Sequence, residues 1–260
     1  MSIAGAAASF AGDPEICDYM DFTVAPGCEQ EFYRVLLDEL LERGVREFDL
    51  RCLRPESTVF PHLLKVAEER GGDCCIEQDG VSMEMDLPGD WNEYLNMLSR
   101  KQRHEVRRKL RRLREEADVD FLVVNDAARI AQLLDTFLEM FRQSRLDKAL
   151  FMTSQMESFF RLMTEAMSKT GILRLFLLTL NDIPAAASLC FAYGDTMYLY
   201  NSGYYPRYCS LSVGLICKIL SIRHSIETGR KKYDFLKGAE PYKYQLGGKE
   251  VGLSRCRISF

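Results

Sequence analysis

Residues 172–204 read ILRLFLLTLNDIPAAASLCFAYGDTMYLYNSGY, three apolar runs separated by the turn dipeptides Asn181-Asp182 and Gly194-Asp195. Short turns of such residues join neighbouring strands as hairpins, and strands joined in this way run antiparallel. The stretch therefore predicts a three-stranded antiparallel meander over 172–180, 184–194 and 196–204.

The sequence before the meander alternates between strand-like and helix-like segments, which is typical of a mixed α/β fold. We expect strands over 18–24, 45–53, 74–78, 81–87 and 121–124, with Asp79-Gly80 as a turn. We expect helices over 29–43, 58–70, 127–145 and 153–169, and after the meander a helix over 212–229 and a last strand over 251–259.

Asp90 marks the start of a further helix, because Glu93 follows it at the capping-box spacing. Apolar residues at three- and four-residue spacing continue to about Ala117, which predicts one rod on the order of 40 Å long. Within it, the stretch from Arg100 to Arg114 has nine Lys or Arg in fifteen positions. We expect an anionic partner here, such as the phosphates of a cofactor, a lipid-linked or polysaccharide substrate, a tRNA acceptor stem or a membrane surface.

Composition narrows the class of protein. The chain has 260 residues, 47% of them hydrophobic, and a formal net charge of -4, so no bulk electrostatic preference for nucleic acid is expected. Its nine cysteines have no CxxC or other metal-binding spacing. We therefore expect reduced, mostly buried thiols, a cytoplasmic location and no metal. No apolar run approaches the roughly 20 residues of a transmembrane helix, so the chain is expected to be soluble.

Two short segments of the chain repeat one another. LLERGVREFDL (40–50) and SIETGRKKYDF (225–235) align without gaps at an offset of 185. Each has the pattern of a helix that ends at a C-cap glycine, Gly44 or Gly229, and returns into a strand. The second copy continues into YDFLKGAEPYKYQLG, from Tyr233 to Gly247, and within it the turn at 237–244 has two lysines, a carboxylate and two phenols in eight positions.

The order of elements from 118 to 260 resembles the GNAT superfamily of N-acyltransferases. The stretches 87–117, 202–214 (SGYYPRYCSLSVG) and 233–247 are similar to the branch of FemAB peptidyltransferases and CelD-like cellulose-biosynthesis acetyltransferases. The resemblance implies a GNAT-type mixed, largely antiparallel sheet flanked by helices, in a tandem arrangement with an incomplete first unit.

This resemblance divides the chain into a partial N-terminal unit (1–88), a long basic linking helix (89–117) and a C-terminal acyltransferase domain (118–260). Because the first unit would lack its opening elements, the strand at 18–24 would leave an uncovered edge. Such an edge is shielded or pairs with another chain, so a homodimer through the first sheet is expected.

The resemblance also implies acetyl-CoA or another acyl-CoA as co-substrate. GNAT folds hold its pyrophosphate at the start of the helix after the meander, where the amides and the helix dipole attract anions. At that place the chain has Arg207, Ser210 and Ser212, with serines where small residues are usual. A backbone N–H of the preceding strand receives the thioester carbonyl, which assigns that role to Asn201, Ser202 and Gly203.

The turn at 237–244 supplies the expected catalytic groups. Glu240 is the expected base for the acceptor amine, and Tyr242 or Tyr205 the proton donor to the leaving thiolate. Lys243 occupies the place of the lysine that lies in the substrate channel of FemAB-like enzymes, where a cation can neutralise phosphate or a developing oxyanion. Tyr205 and Lys237 are also expected to contact substrate, and a structural role is expected for Asp234.

The expected function is transfer of an acyl group, most simply acetyl, from acyl-CoA to an amine or hydroxyl of a polysaccharide precursor or small metabolite. Two alternatives stay open. One is aminoacyl-tRNA-dependent peptidyl transfer of the Fem type, although the sequence shows no heptad insertion for the coiled-coil arm of those enzymes. The other is a non-catalytic GNAT-fold binding or regulatory module, which the degenerate phosphate loop would favour.

Overall fold

The structure is a computed structural model that describes residues 1–260. Its strands are β1 (Ser2–Ala4), β2 (Ala7–Ser9), β3 (Glu47–Leu53), β4 (Asp73–Asp86), β5 (Val119–Val124), β6 (Leu173–Leu180), β7 (Ile183–Tyr193), β8 (Thr196–Tyr204), β9 (Lys232–Lys237) and β10 (Lys249–Ser259). Its α-helices are α1 (Glu29–Glu42), α2 (Leu64–Glu69), α3 (Trp91–Met97), α4 (Arg100–Glu116), α5 (Ala127–Ser144), α6 (Leu146–Phe151), α7 (Ser154–Lys169), α8 (Val213–Glu227) and α9 (Pro241–Gln245). None of these helices combines the length and the apolar composition needed to cross a lipid bilayer.

The predicted meander is confirmed. β6, β7 and β8 pair antiparallel in chain order, β5 adds to β6 antiparallel, and β9 joins β8 in parallel. Side chains of β6 alternate between two helical layers. Leu175 and Leu177 lie in the core formed with α5 and α7, whereas the ring of Phe176 lies 5.5 Å from the His224 ring of α8. The predicted fold class, a mixed and mostly antiparallel sheet flanked by helices, is therefore confirmed.

The chain divides into two compact units. The first contains residues 1–83, 237–239 and 250–260, and the second contains residues 84–236 and 240–249. In the first unit β3 pairs with β2 in parallel and with β10 antiparallel, beside a core that includes Tyr33, Leu37 and Phe48. The predicted division had placed residues 250–260 in the second domain; they belong to the first unit because β10 pairs with β3, although it is distant in sequence.

The predicted strand over 18–24 is wrong. The main-chain N–H of Met20 donates to the carbonyl of Cys52, and the ring of Phe22 packs against Phe10 and Tyr33 at centroid distances of 5.0 and 5.4 Å. The segment is irregular because its apolar side chains cover the core of the first unit. The strand β1 pairs with β2 instead, so the expected homodimer contact at 18–24 has no strand to form it.

The predicted turn at Asp79-Gly80 is also wrong, because β4 runs through it. Gly80 accommodates a φ of +100° within the strand. The Asp79 carboxylate lies 2.6 Å from the Arg51 guanidinium and accepts the Cys52 N–H at 2.9 Å. These two bonds hold an otherwise turn-forming aspartate in extended backbone.

The single helix predicted from Asp90 to Ala117 is two helices, α3 and α4. Asp90 caps α3 as expected, and its side chain accepts from Asn92 and Glu93. The break falls at Ser99, which forms a second capping box with Gln102 and starts α4. The basic stretch therefore forms a separate helix, and the Ser99 motif inside the apolar pattern was the missed signal.

The two repeated segments have the same local structure. In one, Gly44 N–H donates to Leu41 and Val45 N–H to Leu40; in the other, Gly229 N–H donates to Ile226 and Arg230 N–H to Ser225. Both glycines have positive φ, 84° and 75°. This pattern of hydrogen bonds is a Schellman motif, so the predicted helix, C-cap glycine and strand are confirmed in both copies.

Candidate active site

The site begins where β8 leaves its parallel partner. The ladder between β8 and β9 joins Thr196–Tyr198 to Lys232–Asp234, whereas β8 continues beside β7 to Tyr204. The register against β7 shifts at Tyr200, which is a β-bulge. Residues 201–204 therefore lie beyond the β9 ladder, at an opening between two strands where backbone groups can face a ligand.

The three residues expected at the acyl group lie on this divergent end of β8. The carbonyl of Ser202 accepts a hydrogen bond from the Lys148 ammonium of α6. Gly203 is buried against α5, and an added Cβ there would lie 2.4 Å from the backbone nitrogen of Phe141. The absence of a side chain at Gly203 therefore allows β8 to pack closely against helix α5. Asn201 pairs with Leu189 of β7.

Helix α8 starts at Ser212, which adopts left-handed backbone angles, φ 57° and ψ 34°. Its carbonyl accepts the N–H groups of Leu215 and Ile216. Its hydroxyl does not cap the helix; it accepts a hydrogen bond of 2.7 Å from Lys109 of the basic helix α4. A serine here takes the strained conformation that glycine adopts freely.

A cavity of about 270 Å³ opens at this helix start. Its lining residues are Tyr204, Cys209, Ser212, Val213, Gly214, Leu215, Lys218 and Tyr242. The first amides of a helix have no intrahelical acceptor and attract anions. Gly214 keeps this space open, since an added Cβ would lie 2.9 Å from the Tyr204 ring. The sequence prediction did not include Gly214.

Two other expected cofactor contacts lie elsewhere on the loop. Ser210 is an exposed residue of the 3-10 turn Pro206–Leu211. The Arg207 guanidinium stacks on the rings of Tyr205 and Tyr208, at 4.9 Å from each centroid. Tyr205 donates its hydroxyl proton to Glu139 at 2.9 Å, and burial raises the pKa of the phenol. Arg207 and Tyr205 line a different cavity from Ser212.

The turn after β9 brings Lys243 inward. The buried Asp234 carboxylate accepts the Leu236 N–H at 2.7 Å, as its predicted structural role requires, and Leu236 takes a φ of 62°. The Lys243 ammonium donates to the Leu236 carbonyl at 3.0 Å, and the residue is only 2% exposed. The cation is therefore held inside the second unit.

Glu240 and Tyr242 lie beside this cation. Oε2 of Glu240 is 2.9 Å from Nζ of Lys243 and closed to solvent, but the pair lacks hydrogen-bond geometry and is an ion pair. Burial raises the pKa of the Tyr242 phenol, so it stays protonated at neutral pH. Lys237 belongs to the first unit, where its ammonium lies 3.2 Å from the Cys52 thiol.

The sequence of the second unit identifies its family. The acetyltransferase (GNAT) domain family matches residues 100–244, which is more than half of the chain. The chain belongs to this GNAT family. No curated protein matches the sequence.

Solved structures share the fold of this GNAT protein. FemX is 14% identical, with a TM-score of 0.62 over 87% of this chain and 76% of its own. The C-terminal domain of a putative lysylphosphatidylglycerol synthetase from Agrobacterium fabrum is 11% identical, with a TM-score of 0.57 over 88% and 72% of the two chains. L-PGS from Bacillus licheniformis is 10% identical, with a TM-score of 0.54 over 87% and 74%.

The GNAT domain holds two further lysines that the sequence prediction missed. Lys218 lies in α8, with 7% exposure, and donates to the Gly214 carbonyl at 3.1 Å. Lys148 lies on α6, a short helix between the two helices that were predicted. A lysine inside the apolar run VGLICKILSI was a usable signal for Lys218. Nothing in the sequence distinguishes Lys148 from a surface lysine.

Proposed function

We propose that this GNAT domain transfers an acyl group, most simply acetyl, from acyl-CoA to an amine or hydroxyl of a small metabolite or polysaccharide precursor. The observation that carries the proposal is the buried Lys243 ammonium, ion-paired with Glu240, in the same domain as the cavity at the start of α8 that Tyr242 lines. Burying a cation without a partner destabilises a protein, because the charge loses its hydration. Buried charged groups are therefore concentrated at functional sites.

The start of α8 fits the pyrophosphate of acyl-CoA. The first-turn amides of Val213 and Gly214 line the cavity and supply donors and a positive helix end. Lys109 places a further cation against Ser212 from α4. In this arrangement the thioester would lie along Asn201–Gly203, where β8 has left the β9 ladder.

The chemistry requires one proton to leave the acceptor and one to reach the sulfur. The acceptor nitrogen or oxygen forms a bond to the acyl carbon as the carbon–sulfur bond breaks. The Glu240 carboxylate takes the proton of the acceptor, and the Tyr242 phenol protonates the thiolate. Lys243 holds Glu240 in place and lowers the energy of the negative charge that develops on the carbonyl oxygen. No covalent enzyme adduct forms.

Calorimetry with acetyl-CoA and desulfo-CoA tests the co-substrate. We expect micromolar binding to the wild-type chain and its loss in Gly214→Val, because the added side chain meets the Tyr204 ring. Gly252→Val is the matched control, since no atom lies within 4 Å of a Cβ at Gly252. Absence of binding to the wild type at millimolar ligand would overturn the proposal and favour a non-catalytic module.

Aminoacyl transfer is the second candidate, and the fold-level likeness to FemX and to lysylphosphatidylglycerol synthetase favours it.

The basic helix α4 is a candidate binding surface for an anionic partner in either reaction. Arg108 and Lys109 pair with Glu105 and Arg111 with Glu115, whereas Arg100, Lys101, Arg107, Arg112 and Arg114 have no carboxylate partner. Binding of charged tRNA that weakens steeply with salt, without acetyl-CoA binding, would select this candidate.

A further inference from the structure

Lys148, which is half-buried, and Lys218, which is buried, carry ammonium groups without carboxylate partners. Nζ of Lys148 donates to the Ser202 carbonyl and lies 4.7 Å from the centre of the Phe141 ring. Nζ of Lys218 donates to the Gly214 carbonyl and lies 4.9 Å from the centre of the Tyr242 ring. Each ammonium has three donors and uses one on the protein. Both therefore keep hydrogen-bonding capacity for a ligand.

The charges around the two lysines leave the cluster positive. Burial and then the Lys218 ammonium lower the pKa of Lys148 to about 7, and burial lowers that of Lys218 to about 8. The other charged or titratable groups that act on one or both are Arg145, Asp147, Cys190, Cys217, Glu240 and Lys243. The Glu240 carboxylate is already paired with Lys243. An anion between Lys148 and Lys218 would supply the missing negative charge.

We propose that Lys148 and Lys218 form a binding site for a carboxylate or phosphate group carried by the acceptor. This assignment rests on the proposed acyl transfer. Lys148 holds the carbonyl of Ser202, at the strand position assigned to the thioester, and Lys218 lies against Tyr242 of the catalytic turn. A cation pair at these two places orients an acceptor whose anionic group lies close to its nucleophile.

The anion site is close to the helix start proposed for the pyrophosphate of CoA. Lys218 follows the first residue of α8 by five positions, but its ammonium reaches back to the Gly214 carbonyl and lines the same cavity. The acceptor is favoured over CoA by Lys148, which donates to Ser202 at the strand end proposed for the thioester. The acceptor is thus expected to be acidic, for example an amino acid in place of its decarboxylated amine.

The site is tested with inorganic phosphate and acetate on the full chain. Titration calorimetry and lysine ¹³Cε shifts are measured for the wild type, Lys148→Met, Lys218→Met and the exposed control Lys169→Met. We expect phosphate to bind the wild type and Lys169→Met, with affinity reduced about tenfold or more in the other two variants. Phosphate should also raise the pKa of the Lys148 and Lys218 signals. Equal affinity in all four proteins would overturn the site.

Competition with acetyl-CoA distinguishes the two sources of the anion, which are the acceptor and CoA. It also distinguishes failure of the anion site from failure of the proposed acyl transfer. Phosphate that stays bound beside acetyl-CoA supports an acceptor site, whereas competitive displacement assigns the anion to CoA and overturns it. If acetyl-CoA binds and phosphate does not, only the anion site fails. If phosphate binds and acetyl-CoA does not, the acyl-CoA function fails and with it the acceptor assignment.

The rates of acetyl transfer to lysine and to cadaverine, which lacks the carboxylate, are then compared. Equal rates would also overturn the acceptor assignment.

Discussion

The Lys243 ammonium lies 2.9 Å from the Glu240 carboxylate three residues earlier and 3.0 Å from the carbonyl of Leu236, with only 2% of the residue exposed. A lysine at the end of a polar turn would ordinarily point into water. The short helix α9 turns it inward instead, because Pro241 follows the cap residue Glu240 and fixes the first helical turn.

Replacing Lys243 by methionine should abolish most activity and also destabilise the fold. We expect acyl transfer to fall about 10²- to 10³-fold, as on removal of an oxyanion donor. The free energy of unfolding should fall by about 2 kcal/mol, less than for a fully buried pair because Glu240 is partly exposed. Steady-state kinetics and urea unfolding measure the two effects.

The control for this variant is Lys249→Met, an exposed lysine close by, which should change neither quantity. The double variant Lys243→Met with Glu240→Gln should recover part of the stability, because no charge is left unpaired, and none of the activity. Full activity in Lys243→Met would remove the lysine from the mechanism.

Ser212→Gly should leave stability unchanged or raise it by up to about 1 kcal/mol, because glycine adopts positive φ without strain. The hydroxyl contact with Lys109 is lost, which reduces this gain. Thermal unfolding is compared with Ser210→Gly, a neighbour in the 3-10 turn with no positive φ, which should be destabilised slightly. A clear loss of stability in Ser212→Gly would mean that the Lys109 contact outweighs the strain.

Gly203→Ala should destabilise the second unit by about 3 kcal/mol or more, since the new methyl group meets the backbone of α5 at Phe141 and neither element can shift cheaply. Gly252→Ala, which has open space around it, should stay within about 0.5 kcal/mol of the wild type. Denaturant unfolding of both variants measures the difference. Similar values for the two glycines would contradict the close contact of β8 and α5.

Lys148 should make the stability of the fold depend on pH. Burial lowers its pKa from 10.5 to about 7, so between these values the unfolded chain binds more protons than the folded chain. The contribution of Lys148 to the free energy of unfolding therefore rises with pH in that window, by up to about 1.4 kcal/mol per pH unit. Lys148→Met should be more stable than the wild type near pH 7, and the gap should close towards pH 10.5.

Urea unfolding from about pH 6.5 to about pH 10 measures this gap. Lys169→Met, at an exposed lysine of α7, controls for the general effect of losing a lysine and should track the wild type. A gap that is constant with pH would show that Lys148 keeps an ordinary pKa in the folded chain.

Local sequence patterns predicted most of the elements and the turn that holds several candidate site residues. The meander, the Asp90 cap and both C-cap glycines follow from turn and capping residues that act within a few positions of one another. The failures at 18–24 and Asp79-Gly80 have a different origin. Met20 and Asp79 are held by Cys52 and Arg51, partners far along the chain that no local pattern reveals.

The same division applies to the site. The turn motif indicated Glu240, Tyr242 and Lys243 as candidates because they are neighbours in sequence, and the structure places the charged groups of Glu240 and Lys243 2.9 Å apart. Lys148 contacts Ser202 of β8 only through tertiary packing, and Lys237 contacts Cys52 of the first unit. Such placements depend on tertiary structure.

The position of β10 has a consequence for synthesis on the ribosome. Its residues complete the first unit beside β3, yet they are translated only after the whole second unit. The edge of β3 in the nascent N-terminal region therefore stays unpaired until β10 has been synthesised. Most of the GNAT domain, in contrast, can fold as it emerges. Chaperone dependence should accordingly concentrate in the earliest-made part of the chain.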